Sequence, residues 1–514
     1  MRLSCVIYFL VLFSLISCSK DDTADVVSNP VLKHRNLKPL FHYSPQENWM
    51  NDPNGMVYYD GVYHLFYQYY PDGTNWGPMH WAHTVSNDLF HWEDKGIALY
   101  PDDLGYIFSG SAVVDKNNTA GFKSNDNDPL VAIFTHHKSN NGLQTQSLAY
   151  STDKGETWTK YEGNPVLENP GIVDFRDPKV IWHEPTQKWI MTLAVLDHVS
   201  LYSSPNLIDW SLESEFGAGR GAQGGVWECP DLFPLQVEGS DEIKWVLLVS
   251  INPGGPNGGS ATQYFIGSFD GTSFVSENNE INWVDNGIDN YAGVTWSNIP
   301  NSDGRRIFLG WMSNWVYAGA TPTEGWRGEM TIPLEIKLIQ KNDKYVLAFE
   351  PVAELNNLMS DDDALIIDTP QKSIELENNS IVEYGSYRAE IDIETENIND
   401  FEIKTGNGLE SIFISYDKVS STLSIDRSEC GISDFDQLFK KEIKCEIQPS
   451  EGEIVLDLIV DQSSLEILIN GGEKVMTALF YSKYKYNSIS INGSSDNAFI
   501  QHFKISPIQK SVIR

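Results

Sequence analysis

Four short runs combine acids, amides and hydroxyls with residues that turn a chain sharply. They are Trp49-Met-Asn-Asp-Pro-Asn-Gly55, Phe108-Ser-Gly-Ser111, Phe175-Arg-Asp-Pro178 and Trp227-Glu-Cys-Pro-Asp231. A fifth region holds Tyr291 and Gly310-Trp-Met-Ser-Asn-Trp315. Asp52, Ser109, Asp177 and Glu228 follow one another at intervals of 57, 68 and 51 residues. Carboxylates facing one another across a pocket of Trp, Gln and Asn suit cleavage of a glycosidic bond. One acid protonates the leaving oxygen while another attacks the anomeric carbon or activates water. Tryptophan faces stack on sugar C–H surfaces, which gives the 15 Trp of the chain a use. Taken singly, Asn51–Gly55 is a good tight turn and Arg176-Asp177 an ion pair. Only the shared spacing argues for a site.

To bring these runs together, the chain must repeat. Short β-branched and aromatic stretches such as Val62–Tyr67 and Trp245–Ser250 alternate with Gly, Asn, Asp and Pro clusters between residues 40 and 350. Long amphipathic patterns are missing, which predicts an all-β fold. A turn phrase recurs at Ser86–Trp92, Ser151–Trp158, Ser204–Trp210 and, more loosely, Ser268–Phe274, with closing aromatics 66, 52 and 64 residues apart. Each unit has room for one four-stranded sheet. With a last unit at 290–350 they predict a five-bladed β-propeller, in which clusters of equal phase meet at the axis. An irregular sandwich with chance hairpins is the alternative. Trp is absent after Trp326, and the alternating runs Ser380–Glu383, Tyr387–Ile393 and Glu453–Val460 read as strands of a separate β-sandwich. The expected division is a propeller over 38–355 and a sandwich over 364–512, with Asp361–Asp363 as an acidic hinge.

The chain has 514 residues and a formal charge of −35, which argues against a nucleic-acid partner. Charged residues make up 21% and hydrophobic ones 41%, a globular rather than a disordered composition. Arg2 and the apolar run Val6–Ile16 form a signal peptide over 1–17, too short to span a bilayer. Leu15-Ile-Ser-Cys18 resembles a bacterial lipobox, so Cys18 is expected to carry lipid, with residues 18–37 as a flexible tether. Acidic Asp21 and Asp22 resemble export signals that place lipoproteins on the outer surface of some Gram-negative cells. Cys229, Cys430 and Cys445 then remain, and Cys430 with Cys445 is the candidate bridge. No cysteine spacing suggests zinc, and His80 and His83 fall on opposite faces of a strand, so neither metal nor cofactor is expected.

The four runs, in this order, resemble the signature set of glycoside hydrolase family 32, which holds invertases, inulinases and levanases. Gly105–Thr119 and Trp311–Trp315 are most similar to the bacterial levanase branch. The resemblance covers about residues 38–510 and implies a five-bladed propeller followed by a β-sandwich. By resemblance, Asp52 is the nucleophile toward C2 of a fructofuranosyl unit, Glu228 the acid/base, and Asp177 the stabiliser of the transition state. The resemblance also implies that Trp49, Asn51, Gln68, Trp76, Phe108, Ser109, Arg176 and Trp311 contact substrate, with Asp289 and Tyr291 as weaker candidates. Arg176 is expected to keep Asp177 ionised. The implied activity is retaining hydrolysis of a fructan polymer, levan with β-2,6 links, cut internally. Exo-acting levanase or inulinase, a fructosyltransferase, and a non-catalytic fructan-binding lipoprotein are the alternatives. Two departures bear on domain packing: Leu334 follows Ile332-Pro333 where an Arg is common, and Gln462 replaces the Arg of the usual Asp-Arg-Ser-Ser-x-Glu phrase.

Overall fold

The computed structural model describes residues 33–511. Its strands form seven sheets. Five of them follow one another between Asn48 and Pro351, and each starts with an inner strand: Asn48–Tyr59, Tyr106–Val114, Phe175–His183, Val226–Gln236 and Tyr291–Thr295. Every inner strand packs on the next, and the fifth packs on the first, which closes a ring of five blades. This is the expected propeller. The second strands, such as Leu130–Lys138 and Lys188–Val195, are buried along nearly their whole length because a blade lies on each face. Val57, Phe66 and Trp81 pack against Ile107, Ala132 and Phe134 between the first two blades. Val131, Ile133 and Leu148 pack against Val180, Met191 and Leu193 between the next pair.

The recurring turn phrase joins the third strand of a blade to the fourth. In the first three blades the opening Ser oxygen accepts the amide N–H two residues on, from Asp88 at 3.1 Å, Asp153 at 3.4 Å and Asn206 at 3.1 Å. The next residue is left-handed each time: Leu89 at φ 69°, Lys154 at 64°, Leu207 at 67°, and Gly271 at 96° in the fourth blade. The Ser-held corner thus recurs in three blades, and in the fourth Asp270 Oδ1, accepting from Thr272 N at 2.8 Å, makes a similar turn. The ring has one extra closure. Trp326–Arg327, from the chain beyond the second strand of the last blade, pairs in parallel with Asn48 and Trp49.

Two six-stranded sheets follow and face each other as a sandwich. Strand Tyr387–Glu394 alternates buried and half-buried residues, sending Ile391 and Ile393 inward to meet Ile403, Ile414 and Leu456. The Ser380–Glu383 run differs from the expected strand: Ser380–Tyr384 is a short α-helix. The Asn379 side chain accepts from the amides of Ile381 and Val382, and Gly385 at φ 90° ends the turn. Asp361–Asp363 forms a 3-10 turn whose Asp361 meets Lys504. The candidate bridge is also corrected: Cys229, Cys430 and Cys445 are all free. Cys430 Sγ faces Tyr481 O at 3.8 Å and Cys445 Sγ faces Glu446 O at 3.6 Å, so each thiol has its own local environment. The signal segment and Cys18 lie outside the described residues. Residues 33–35, at the end of the expected tether, run beside Lys483–Lys485 on the sandwich, with Arg35 Nε donating to Gln462 O at 2.6 Å.

The two departures leave the two parts firmly joined. Asp461 accepts from the amides of Leu40 at 2.9 Å and Phe41 at 3.1 Å, while the His42 ring spans Asp461 (2.9 Å) and Glu466 (2.7 Å). Burial works against a charge on His42, but hydrogen bonds to Asp461 and Glu466 outweigh it and raise its pKa to about 10. Where the family phrase has Arg, Gln462 bonds Tyr384 O at 3.2 Å, and Arg35 supplies a guanidinium beside the same turn. Further along the junction, Arg427 donates to Asp289 at 2.6 Å with both side chains fully buried.

Candidate active site

All five inner strands break register where their motif lies. The shifts fall between Met50 and Pro53, Ile107 and Gly110, Glu228 and Asp231, Tyr291 and Val294, and opposite the Arg176–Lys179 stretch. Such bulges re-aim side chains that regular pleating would alternate between faces. In three blades one residue inside the break is left-handed: Asp177 at φ 64°, Cys229 at 47° and Ala292 at 54°. Residues with a Cβ take this region only at some cost, so the surrounding contacts must hold them there.

Those contacts form a ring. Gly110 N donates to Asn54 Oδ1 (3.1 Å), Val180 N to Ser111 Oγ (3.0 Å), and Cys229 N to Asp177 Oδ2 (3.1 Å). Thr295 N donates to Asp231 Oδ2 (2.7 Å), and Ser297 N to Met56 O (3.0 Å). Each neighbouring pair of inner strands is therefore joined by a polar bond beside the axis, which fixes the motifs in depth.

Asp52 is half-buried. Its Oδ2 accepts from Ser109 Oγ at 2.7 Å and its Oδ1 from Asn51 Nδ2 at 3.0 Å. Asn51 in turn accepts from the Trp49 indole at 2.7 Å, so three predicted residues form one chain. Burial raises the Asp52 pKa, and the bonds from Ser109 and Asn51 oppose that rise. The Cys229 thiol lies between the acids, 3.6 Å from Asp52 Oδ2 and 3.6 Å from Asp177 Oδ2. Burial, reinforced by those carboxylates, pushes the thiol well above its usual range, so it stays a neutral S–H.

Arg176 corrects one expectation. Its NH2 lies 2.9 Å from Glu228 Oε1, while its Nε is 3.8 Å from Asp177 Oδ2. The guanidinium thus grips Glu228 and only borders Asp177. Burial lifts the Asp177 pKa to about 7; Arg176 lowers it but loses to burial and to the charges of Glu228 and Asp52. The folded chain therefore holds a proton that the unfolded chain releases near pH 4, and this carboxyl costs stability as pH rises from about 4 through about 7. Asp177→Asn should accordingly raise the melting temperature more at pH 7.5 than at pH 4. An equal gain at both pH values, measured by differential scanning fluorimetry, would refute this.

Tyr291 donates to Glu228 Oε2. Asp289 does not join it; its carboxylate is spent on Arg427 and Leu479 N at the sandwich junction. Gln68 and Trp311 are buried near the site end of their strands, and Gln68 Nε2 and Trp311 Nε1 have no protein partner. Trp76 stands 44% exposed, edge-on to Phe108 at 6.0 Å. Trp315 stacks on Trp49 at 5.9 Å and was foreshadowed only as the end of the Gly310–Trp315 run. Asp174, 2.5 Å from Arg176 NH1, carried no sequence signal.

A ring of blades that brings three carboxylates to its axis, two of them gripped by different donors, defines a glycoside hydrolase. Residues 42–351 match the model of the glycosyl hydrolases family 32 N-terminal domain, and residues 354–507 match that of the family 32 C terminal. The chain belongs to glycoside hydrolase family 32. It is 46% identical over 482 residues to a levanase of Bacillus subtilis (strain 168), covering 92% of this chain and 70% of the relative. It is 39% identical over 480 residues to the extracellular exo-inulinase of Aspergillus niger, covering 86% and 89%. Among solved structures, exo-inulinase from Aspergillus awamori superposes with a TM-score of 0.86 at 34% identity, covering 92% of this chain and 98% of that one. A β-fructofuranosidase from Schwanniomyces occidentalis complexed with fructosyl-erythritol gives a TM-score of 0.84 at 33% identity, covering 93% and 98%.

Proposed function

We propose that this enzyme hydrolyses levan by double displacement, with Asp52 as nucleophile and Glu228 as acid/base. The carrying observation is the meeting of the acids at the axis: the Cys229 thiol lies 3.6 Å from both Asp52 and Asp177, and Arg176 borders Asp177 while gripping Glu228. In the first step an Asp52 oxygen bonds to C2 of the fructosyl unit, and the bond from C2 to the leaving oxygen breaks. Glu228 passes its proton to that oxygen. In the second step Glu228 takes a proton from water, the water oxygen bonds to C2, and the Asp52 ester bond breaks. Two inversions retain configuration. Ser109 and Asn51 stabilise the Asp52 carboxylate that leaves. Asp177 and Arg176 hold fructose hydroxyls, with Phe108 as a wall and Trp76 at the mouth, while Trp49, Gln68 and Trp311 lie buried behind them.

The Bacillus levanase likeness supports β-2,6 over β-2,1 links. Internal cutting follows from the surface placement expected of Cys18, since an anchored enzyme facing outward gains most by shortening polymers. Release of single fructose units is the second reading, favoured by the exo-inulinase names of several relatives. Early-time sizing of products from levan and inulin separates them. An oligosaccharide ladder from levan is expected; fructose as sole early product overturns internal cutting, and faster attack on inulin overturns the linkage.

A further inference from the structure

Aromatic rings continue outward from the pocket mouth along the rim between the first and second blades. Phe108 lies parallel to His137, with centroids 4.3 Å apart and 1° between planes, and Tyr106 tilts against His137 at 6.3 Å. Tyr100 meets His80 edge-on at 5.5 Å. The backbone joins these two groups, since Ile107 N donates to Met79 O at 3.0 Å. Tyr100 is 56% exposed, and His80, Tyr106, Phe108 and His137 are each half-buried, so this aromatic surface meets water instead of filling a core.

We propose that this rim is an outer part of the binding cleft, taking the second and third fructosyl units beyond the one at Asp52; it rests on the fructan reading above. Three observations carry it. The surface is continuous with the site, because Phe108 directly precedes the Ser109 that donates to Asp52. It is rigid: Asp102 and Gly105 exchange backbone hydrogen bonds of 3.1 and 3.0 Å, and Asp102 is fixed by Lys160 at 2.5 Å. A platform ordered before binding loses little freedom when it binds. Its charge also selects. Lys160 offsets the charge of Asp102, so Asp103 supplies the uncompensated acid of this loop. An anionic polymer is repelled there, whereas a neutral polyol can lay its C–H faces on the rings.

The test is the double variant Tyr100→Ala/Tyr106→Ala, compared with Tyr100→Phe/Tyr106→Phe. The readout is the ratio of kcat/KM on fructan polymer to kcat/KM on sucrose, which cancels any general loss of active enzyme. The Ala pair should lower this ratio about tenfold and the Phe pair should hold it within twofold. A ratio unchanged in the Ala pair overturns the proposal, as does an equal fall in the Phe pair. Wild-type enzyme that cuts sucrose but neither levan nor inulin would instead overturn the fructan reading, and that result precedes any variant.

Discussion

Asp52→Ala should lower hydrolysis of both levan and sucrose by about 10,000-fold or more, the scale seen when a nucleophile is removed. The argument does not depend on loss of folding. Asp52 is a half-buried carboxyl whose charge burial disfavours, so its removal relieves an electrostatic cost and frees only the Ser109, Asn51 and Cys229 donors. The melting temperature should therefore stay close to that of the parent. Asp52→Asn keeps the shape and an acceptor for Ser109, and should be as inactive as Ala, because an amide oxygen is a poor nucleophile toward C2. A reducing-sugar assay reading more than one part in a hundred of parent activity in either variant would remove Asp52 from the role. Full loss on levan with normal rates on sucrose would assign it to polymer binding instead.

The second large effect is on stability and lies at the sandwich junction. Arg427 Nη1 donates to Asp289 Oδ2 and to Leu479 O, both at 2.6 Å, while Nε reaches Phe439 O at 2.9 Å and the guanidinium lies 3.8 Å from the Phe439 ring centroid. Arg427→Met leaves Asp289 buried without its cation, a change that typically costs about 3–5 kcal/mol. The urea midpoint should fall accordingly. Adding Asp289→Leu should recover part of the loss, because two apolar side chains need no compensation there. A double variant weaker than Arg427→Met would show that the pair contributes through its other bonds. Asp289 stands two residues before Tyr291, which donates to Glu228, so Arg427→Met should also lose activity at temperatures where the chain is still folded.

The site was legible because its chemistry is local. Each motif occupies a few consecutive residues, and the recurring phrase from Ser to a closing aromatic carries the period that sets the motifs side by side. What escaped depends on partners distant in sequence. Arg176 was assigned to its neighbour Asp177, yet it turns to Glu228 on the next blade. Asp289 lies close to Tyr291 in sequence, but a residue of the sandwich claims its carboxylate. The Ser380–Glu383 run alternates like a strand, and the Asn379 cap with the Gly385 stop outweighed that pattern. The Cys430–Cys445 pairing fails for the same reason: the positions of cysteines along the chain do not say where each thiol packs.

Trp326–Arg327 lies parallel to Asn48 and Trp49, on the strand that carries Asp52. The segment that latches the last blade to the first thus pairs with the strand that carries Asp52, on the side away from its hairpin partner. Heat or denaturant that springs this latch displaces the residues leading to Asp52 before the other blades need separate. Activity on heating should therefore be lost as this pair opens, ahead of global unfolding.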